Sequence, residues 1–206
     1  MASLFILLSG IFTSFFGSST PSMLNMTALK ISLEKGKRQS NNYNLGVSAV
    51  IIFQSSLGLL IAEQIEKYPA FLITLEKIAA VIFLILAVYF FKEFKNQKEN
   101  IKKDKDNKNN SFFVGVILSA LNMFAIPFYF GIATYLSTFK WFNFELLSMI
   151  FFAAGSAIGT FGILFFYGKY AAYIQNKATI ITKNINLFLS IITGFIGIYT
   201  IIKNYF

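Results

Sequence analysis

The chain has 206 residues, 56% hydrophobic and 18% aromatic, with a net charge of +9 and neither cysteine nor histidine. Its apolar residues come in long blocks rather than in alternation, which excludes an ordinary soluble domain and describes a polytopic membrane protein. Without Cys or His there is no thiol chemistry, no disulfide, no imidazole base and no ordinary nitrogen or sulfur ligand for zinc or copper.

Six apolar segments follow one another: 2–29, 45–61, 71–91, 112–139, 144–167 and 185–202. Most are near the roughly 20 residues that a span needs. The expectation is an all-α membrane protein of six transmembrane helices. The first 20 residues lack the basic start of a signal peptide and are read as a retained helix. The first segment is interrupted by Ser18, Ser19, Thr20, Pro21 and Ser22, and turns apolar again before the basic cluster Lys35-Gly36-Lys37-Arg38. If Lys30 marks the surface, Pro21 lies roughly 13 Å inside it, near the middle of a hydrocarbon core of about 30 Å. Backbone groups freed at that depth must be buried in protein or face an aqueous cavity.

The basic residues fall between the apolar blocks, so they report topology rather than nucleic acid. Fourteen lie on the side of the first, third and fifth loops, against four at Lys67, Lys77, Lys140 and Lys203. By the positive-inside rule the odd loops are cytoplasmic and both termini are outside a multi-pass protein of the plasma (inner) membrane. The central stretch 93–111 is a low-complexity basic linker. It separates a first three-helix half, 1–92, from a second, 112–206. Its functional reading is an anionic-lipid contact or a tether; the plainer one is a solvated spacer.

The halves look related. Gly10-Ile11-Phe12 precedes Pro21 by eleven residues, and Gly115-Val116-Ile117 precedes Pro127 by twelve. Each first helix carries a deep proline and an asparagine, Asn25 and Asn122. An odd number of spans per half makes any true repeat an inverted one. Helices 1 and 4, interrupted near proline, then point to a mid-membrane binding site.

A half-helix starting after Pro21 would aim N–H groups and its positive end at a carboxylate, while carbonyls freed before Pro21 suit an ammonium group. Asn122, Pro127 and Tyr129 would supply the second break. Gln54 is costly facing lipid and should face the bundle. Gly155 and Gly159 permit close helix packing, and the same pattern would suit a homo-oligomer. The bland reading of these features is a covered proline kink and interhelical bonding. No acidic or basic residue lies near the centre of any span, so a neutral amino acid or similar zwitterion is expected, with no metal or other cofactor. Catalytic residues are not expected either, since the serines have no base beside them. A channel would need a ring of charge or a filter motif, and none is visible.

This layout resembles the lysine exporter (LysE/RhtB) family. The residues that carry the likeness are Thr20-Pro21-Ser22, Lys35-Gly36-Lys37-Arg38, Leu45-Gly46 and, after the linker, Phe113, Gly115 and Asn122. Met123 stands where that family has proline, and its Pro-Gly-Pro is lacking at the first break. The resemblance implies amino acid export driven by an ion gradient, proton or sodium, with Gly36, Lys37 and Arg38 at the cytoplasmic mouth. The alternatives are a non-transporting membrane scaffold or assembly subunit and an ion or metal exporter of the same broad superfamily.

Overall fold

A computed structural model of the chain describes residues 2–20, 22–68, 78, 81, 84–85, 87–89, 91–92, 110–122, 124–174, 190–191, 194–195 and 198–202. Regular structure among these residues is helical throughout. Six helices have defined bounds: α1 Ala2–Gly17, α2 Met23–Lys35, α3 Lys37–Lys67, α4 Ser111–Ala120, α5 Ala125–Thr138 and α6 Leu146–Lys169. Two of them, α3 and α6, are long and apolar enough to cross a membrane; α4 and α5, bent by 64° at their junction, make a third if counted as one span.

The chain divides into two compact units, 1–63 with 108–176, and 64–107 with 177–206. Each unit draws on both halves of the sequence. In the second unit, Ser190 Oγ donates to Ala87 O at 2.9 Å. Most of the third and sixth expected spans, residues 93–109 of the linker and Pro21 lie outside the described residues; the linker's last two positions, Asn110 and Ser111, already belong to the start of α4.

Local chemistry explains the helix ends. Ser22 caps α2, its hydroxyl accepting from Asn25 N–H, and Asn110 caps α4 by accepting from Phe112 N–H. Between α2 and α3 stands a single residue, Gly36, with φ 83° and ψ 166°. Only glycine occupies that region without strain. The first basic loop is therefore one residue long. Lys30 and Lys35 belong to α2, and Lys37 and Arg38 to α3. Lys30 lies in the middle of α2 and is exposed there.

The fourth segment also divides differently from expectation. Its interruption falls at 121–124, and Pro127 is the third residue of α5. First-turn N–H groups have no partner inside the helix, so proline removes nothing there. The break belongs instead to Asn122, whose Oδ1 accepts from Phe124 N–H at 3.3 Å, a side-chain-closed turn that ends α4.

Two helix pairs in the first unit pack through glycines. A β-carbon on Gly10 would lie 2.5 Å from Phe152 O, and one on Gly155 would collide with Leu7 O. On α3 and α4, a β-carbon at Gly46 would strike Phe112 O and one at Gly115 would strike Tyr43 O. In all four cases the carbonyl struck lies three residues before the partner glycine. The order of the contacts makes α1 parallel to α6 and α3 parallel to α4. Around these seams Tyr43, Val47, Leu59, Tyr129, Phe152 and Leu164 form a buried core. Phe12, Phe53, Phe113 and Leu146 stand exposed on the outer faces, as lipid-facing side chains do.

Candidate functional site

The first break is held by side chains on its carbonyls. Asn25 is 1% exposed. Its Nδ2 donates to both Ser18 O and Thr20 O, each at 2.7 Å. Tyr167 of α6 donates its hydroxyl to Ser19 O at 2.8 Å. Ser19, Thr20 and Ser22 are exposed and Ser18 is half-buried. The carbonyls expected to await an ammonium group are thus occupied by neutral donors in this conformation.

The second break is built the same way from the other helix pair. Gln54 of α3 reaches α4 and donates Nε2–H to Ser119 O at 3.0 Å and to Asn122 O at 3.3 Å. Gln54 is buried, as its cost in lipid requires. Pro127 is exposed and Asn122 half-buried.

Tyr129 belongs to neither group. Its hydroxyl lies 2.8 Å from Ser14 Oγ, which lies 2.7 Å from Thr160 Oγ1. These three hydroxyls tie α1, α5 and α6 together, each 2% exposed or less. The end of α1 also abuts the start of α5, since a β-carbon on Gly17 would strike the Phe128 ring. Near these groups several buried polar atoms have no hydrogen-bond partner among the described residues: both amide atoms of Asn44, Ser48 Oγ, Gln54 Oε1 and Ser156 Oγ. Such atoms cost roughly 1–3 kcal/mol each, and native proteins keep few of them.

A family model described as LysE type translocator matches residues 15–204. The chain belongs to that family. No curated protein and no solved structure matches it. As a LysE type translocator it is a membrane protein of a transport family for amino acids or related compounds, not of an enzyme family. The matched region begins at Phe15, near the end of α1, and takes in both breaks, the Gly36 turn and every side chain that holds a break.

In this LysE type translocator, Ser18, Ser19, Thr20, Ser22 and Asn25 come together, as do Gln54 and Asn122. Tyr129 joins hydroxyls that sequence reasoning passed over. Gly36, Lys37 and Arg38 are exposed at the join of α2 and α3. The residues missed are Ser14, Asn44, Ser48, Ser119, Ser156, Thr160 and Tyr167. Ser14 and Ser119 left a trace, for each stands four residues after the glycine of its half, in GIFTS and GVILS. Asn44 and Ser48 left another, a four-residue spacing that puts them on one face of α3.

Proposed function

We propose that this translocator exports small zwitterionic amino acids, neutral rather than cationic, by alternating access. What carries the proposal is that both broken helices present main-chain carbonyls held by side-chain donors. A solute ammonium group can replace Asn25 and Tyr167 on the carbonyls of Ser18, Ser19 and Thr20, or Gln54 on those of Ser119 and Asn122. The solute carboxylate then faces the N-terminus of α2, where the first-turn N–H groups and the helix dipole favour negative charge. Pro127 stands in the first turn of α5, and Pro21 precedes the Ser22 cap of α2 in sequence. Tyr129 contributes a hydroxyl at the meeting of α1, α5 and α6.

The six spans form two inverted halves. This reading draws support from the glycine contacts, since Gly10 meets Gly155 as Gly115 meets Gly46: each first helix packs on the second helix of the other half. The inner mouth lies at Gly36, Lys37 and Arg38, both termini face outward in the plasma membrane, and a proton or sodium gradient drives the cycle. Cells loaded with amino acids by dipeptide feeding test this. The wild type should lower the internal pool of one or a few neutral amino acids, and Asn25→Ala, Gln54→Ala, Pro21→Ala and Pro127→Ala should lower flux at equal membrane abundance. If no amino acid pool changes while the protein is correctly inserted, amino acid export is wrong.

A further inference from the structure

At the end of the first unit where α2 meets α3 there is a cavity of about 100 Å³ whose lining includes none of the side chains that hold the breaks. Ser32 of α2, Lys37, Ser40 and Asn41 of α3, and Phe165 and Lys169 of α6 line it. Lysines from two different helices therefore border one cavity whose lining holds no carboxylate. Two like charges on one small cavity repel, and an anion between them converts that repulsion into attraction.

The rest of the lining agrees in sign. Lys37 opens the 31-residue α3, so the positive end of that helix faces this region. The opposing C-terminal carbonyls of α6 are partly covered, for Ser32 Oγ donates to Gly168 O at 2.7 Å. Ser40 is buried and donates to Ala28 O at 3.0 Å, which fixes the wall of the cavity. Asn41 adds an amide that can donate. Phe165 is 40% exposed and gives the cavity one apolar wall.

We infer that this cavity is an oxyanion site, taking a phosphate or carboxylate between Lys37 and Lys169. Two sources share that chemistry. One is the phosphate of an anionic lipid, its acyl chain lying along Phe165. The other is the carboxylate of the transported zwitterion; this source alone rests on the proposed function.

The test uses the purified full-length chain in nanodiscs of phosphatidylcholine, alone or mixed with phosphatidylglycerol. Native mass spectrometry reads retained lipid, and calorimetry compares leucine with leucinamide, which lacks the carboxylate. The wild type should retain phosphatidylglycerol over phosphatidylcholine, or bind leucine over leucinamide. Lys37→Gln with Lys169→Gln should weaken whichever preference exists by about tenfold or more, as expected for charge-assisted bonds. Lys67→Gln with Lys140→Gln removes the same charge elsewhere and should leave the preference intact. If the double variant does not fold, Lys37→Gln and Lys169→Gln alone should each show part of the loss. The inference is overturned if the wild type shows neither preference, or if the preference survives in the lysine variants. A chain that holds phosphatidylglycerol through these lysines yet exports nothing would sink the export reading and leave the oxyanion site standing.

Discussion

Asn25 holds two carbonyls with one nitrogen. Replacing it with Ala orphans both, at about 1–3 kcal/mol. The apparent Tm of the purified chain should fall by roughly 2–4 °C per kcal/mol. Asn25→Asp should cost more, because a carboxylate cannot donate and would face the same two oxygens. A thermal melt in which Asp is tolerated better than Ala would show that Asn25 does not hold the break. Gln54 makes a graded comparison. It also donates to two carbonyls, but its own Oε1 is buried without a partner. Gln54→Leu removes that penalty along with the donors, so the loss of stability should be smaller than for Asn25→Ala. A loss of flux larger than the loss of stability would mark Gln54 as a solute contact.

At the scale of helices, the glycine seams predict paired behaviour. Gly10→Leu and Gly115→Leu should each drive a side chain onto a neighbouring backbone, costing about 1–3 kcal/mol or more, and should lower folded yield to a similar degree. Gly131 is the control. A β-carbon there meets nothing within 4 Å, and it sits inside α5, so Gly131→Ala should be neutral or stabilising by about 0.5–1 kcal/mol. Equal sensitivity of all three by fluorescence-detected chromatography would contradict the seam. The helices differ in how plainly the sequence announced them. The apolar runs of α3 and α6 were legible because each is long and uninterrupted. α2 was not, because Lys30, Glu34 and Lys35 read as loop although they ride on a helix with one buried face. Sequence reasoning places the second break at Pro127 because proline is conspicuous, whereas the turn is made by the Asn122 side chain five residues earlier. The hydroxyls of Ser14 and Thr160 were hidden for another reason. Ser9 and Thr13 satisfy theirs on the preceding turn of α1, at 2.7 Å to Ile6 O and Ser9 O, and only packing decides which hydroxyl reaches across.

For the molecule as a whole, the absence of cysteine is convenient, since single cysteines can be introduced without background. Under the proposed orientation, a cysteine at Gln39 should react with a membrane-impermeant maleimide only from the cytoplasmic face, and one at Trp141 only from outside. The reverse pattern would invert the orientation drawn from the basic residues. The second unit contributes to the same question. Its described helical residues at 78–92 and 190–202 fall where the third and sixth spans were expected, and labelling at Ile78 and Lys92 would test whether the intervening segment crosses.

The join at Gly36 gives α2 the mechanics of a lever. Thirteen residues make an arm of about 20 Å, with the fulcrum beside the lysine-lined cavity and Asn25 near the far tip. A swing of about 10° at the fulcrum moves that tip by roughly 3 Å, more than a 2.7 Å hydrogen bond tolerates. Were α2 to turn there, a small angle at the basic end would open or close the grip on Ser18 and Thr20. Gly36→Ala, where no side chain would collide but φ is unfavourable, should strain the join by about 1–3 kcal/mol and lower both the melting temperature and the flux in dipeptide-fed cells.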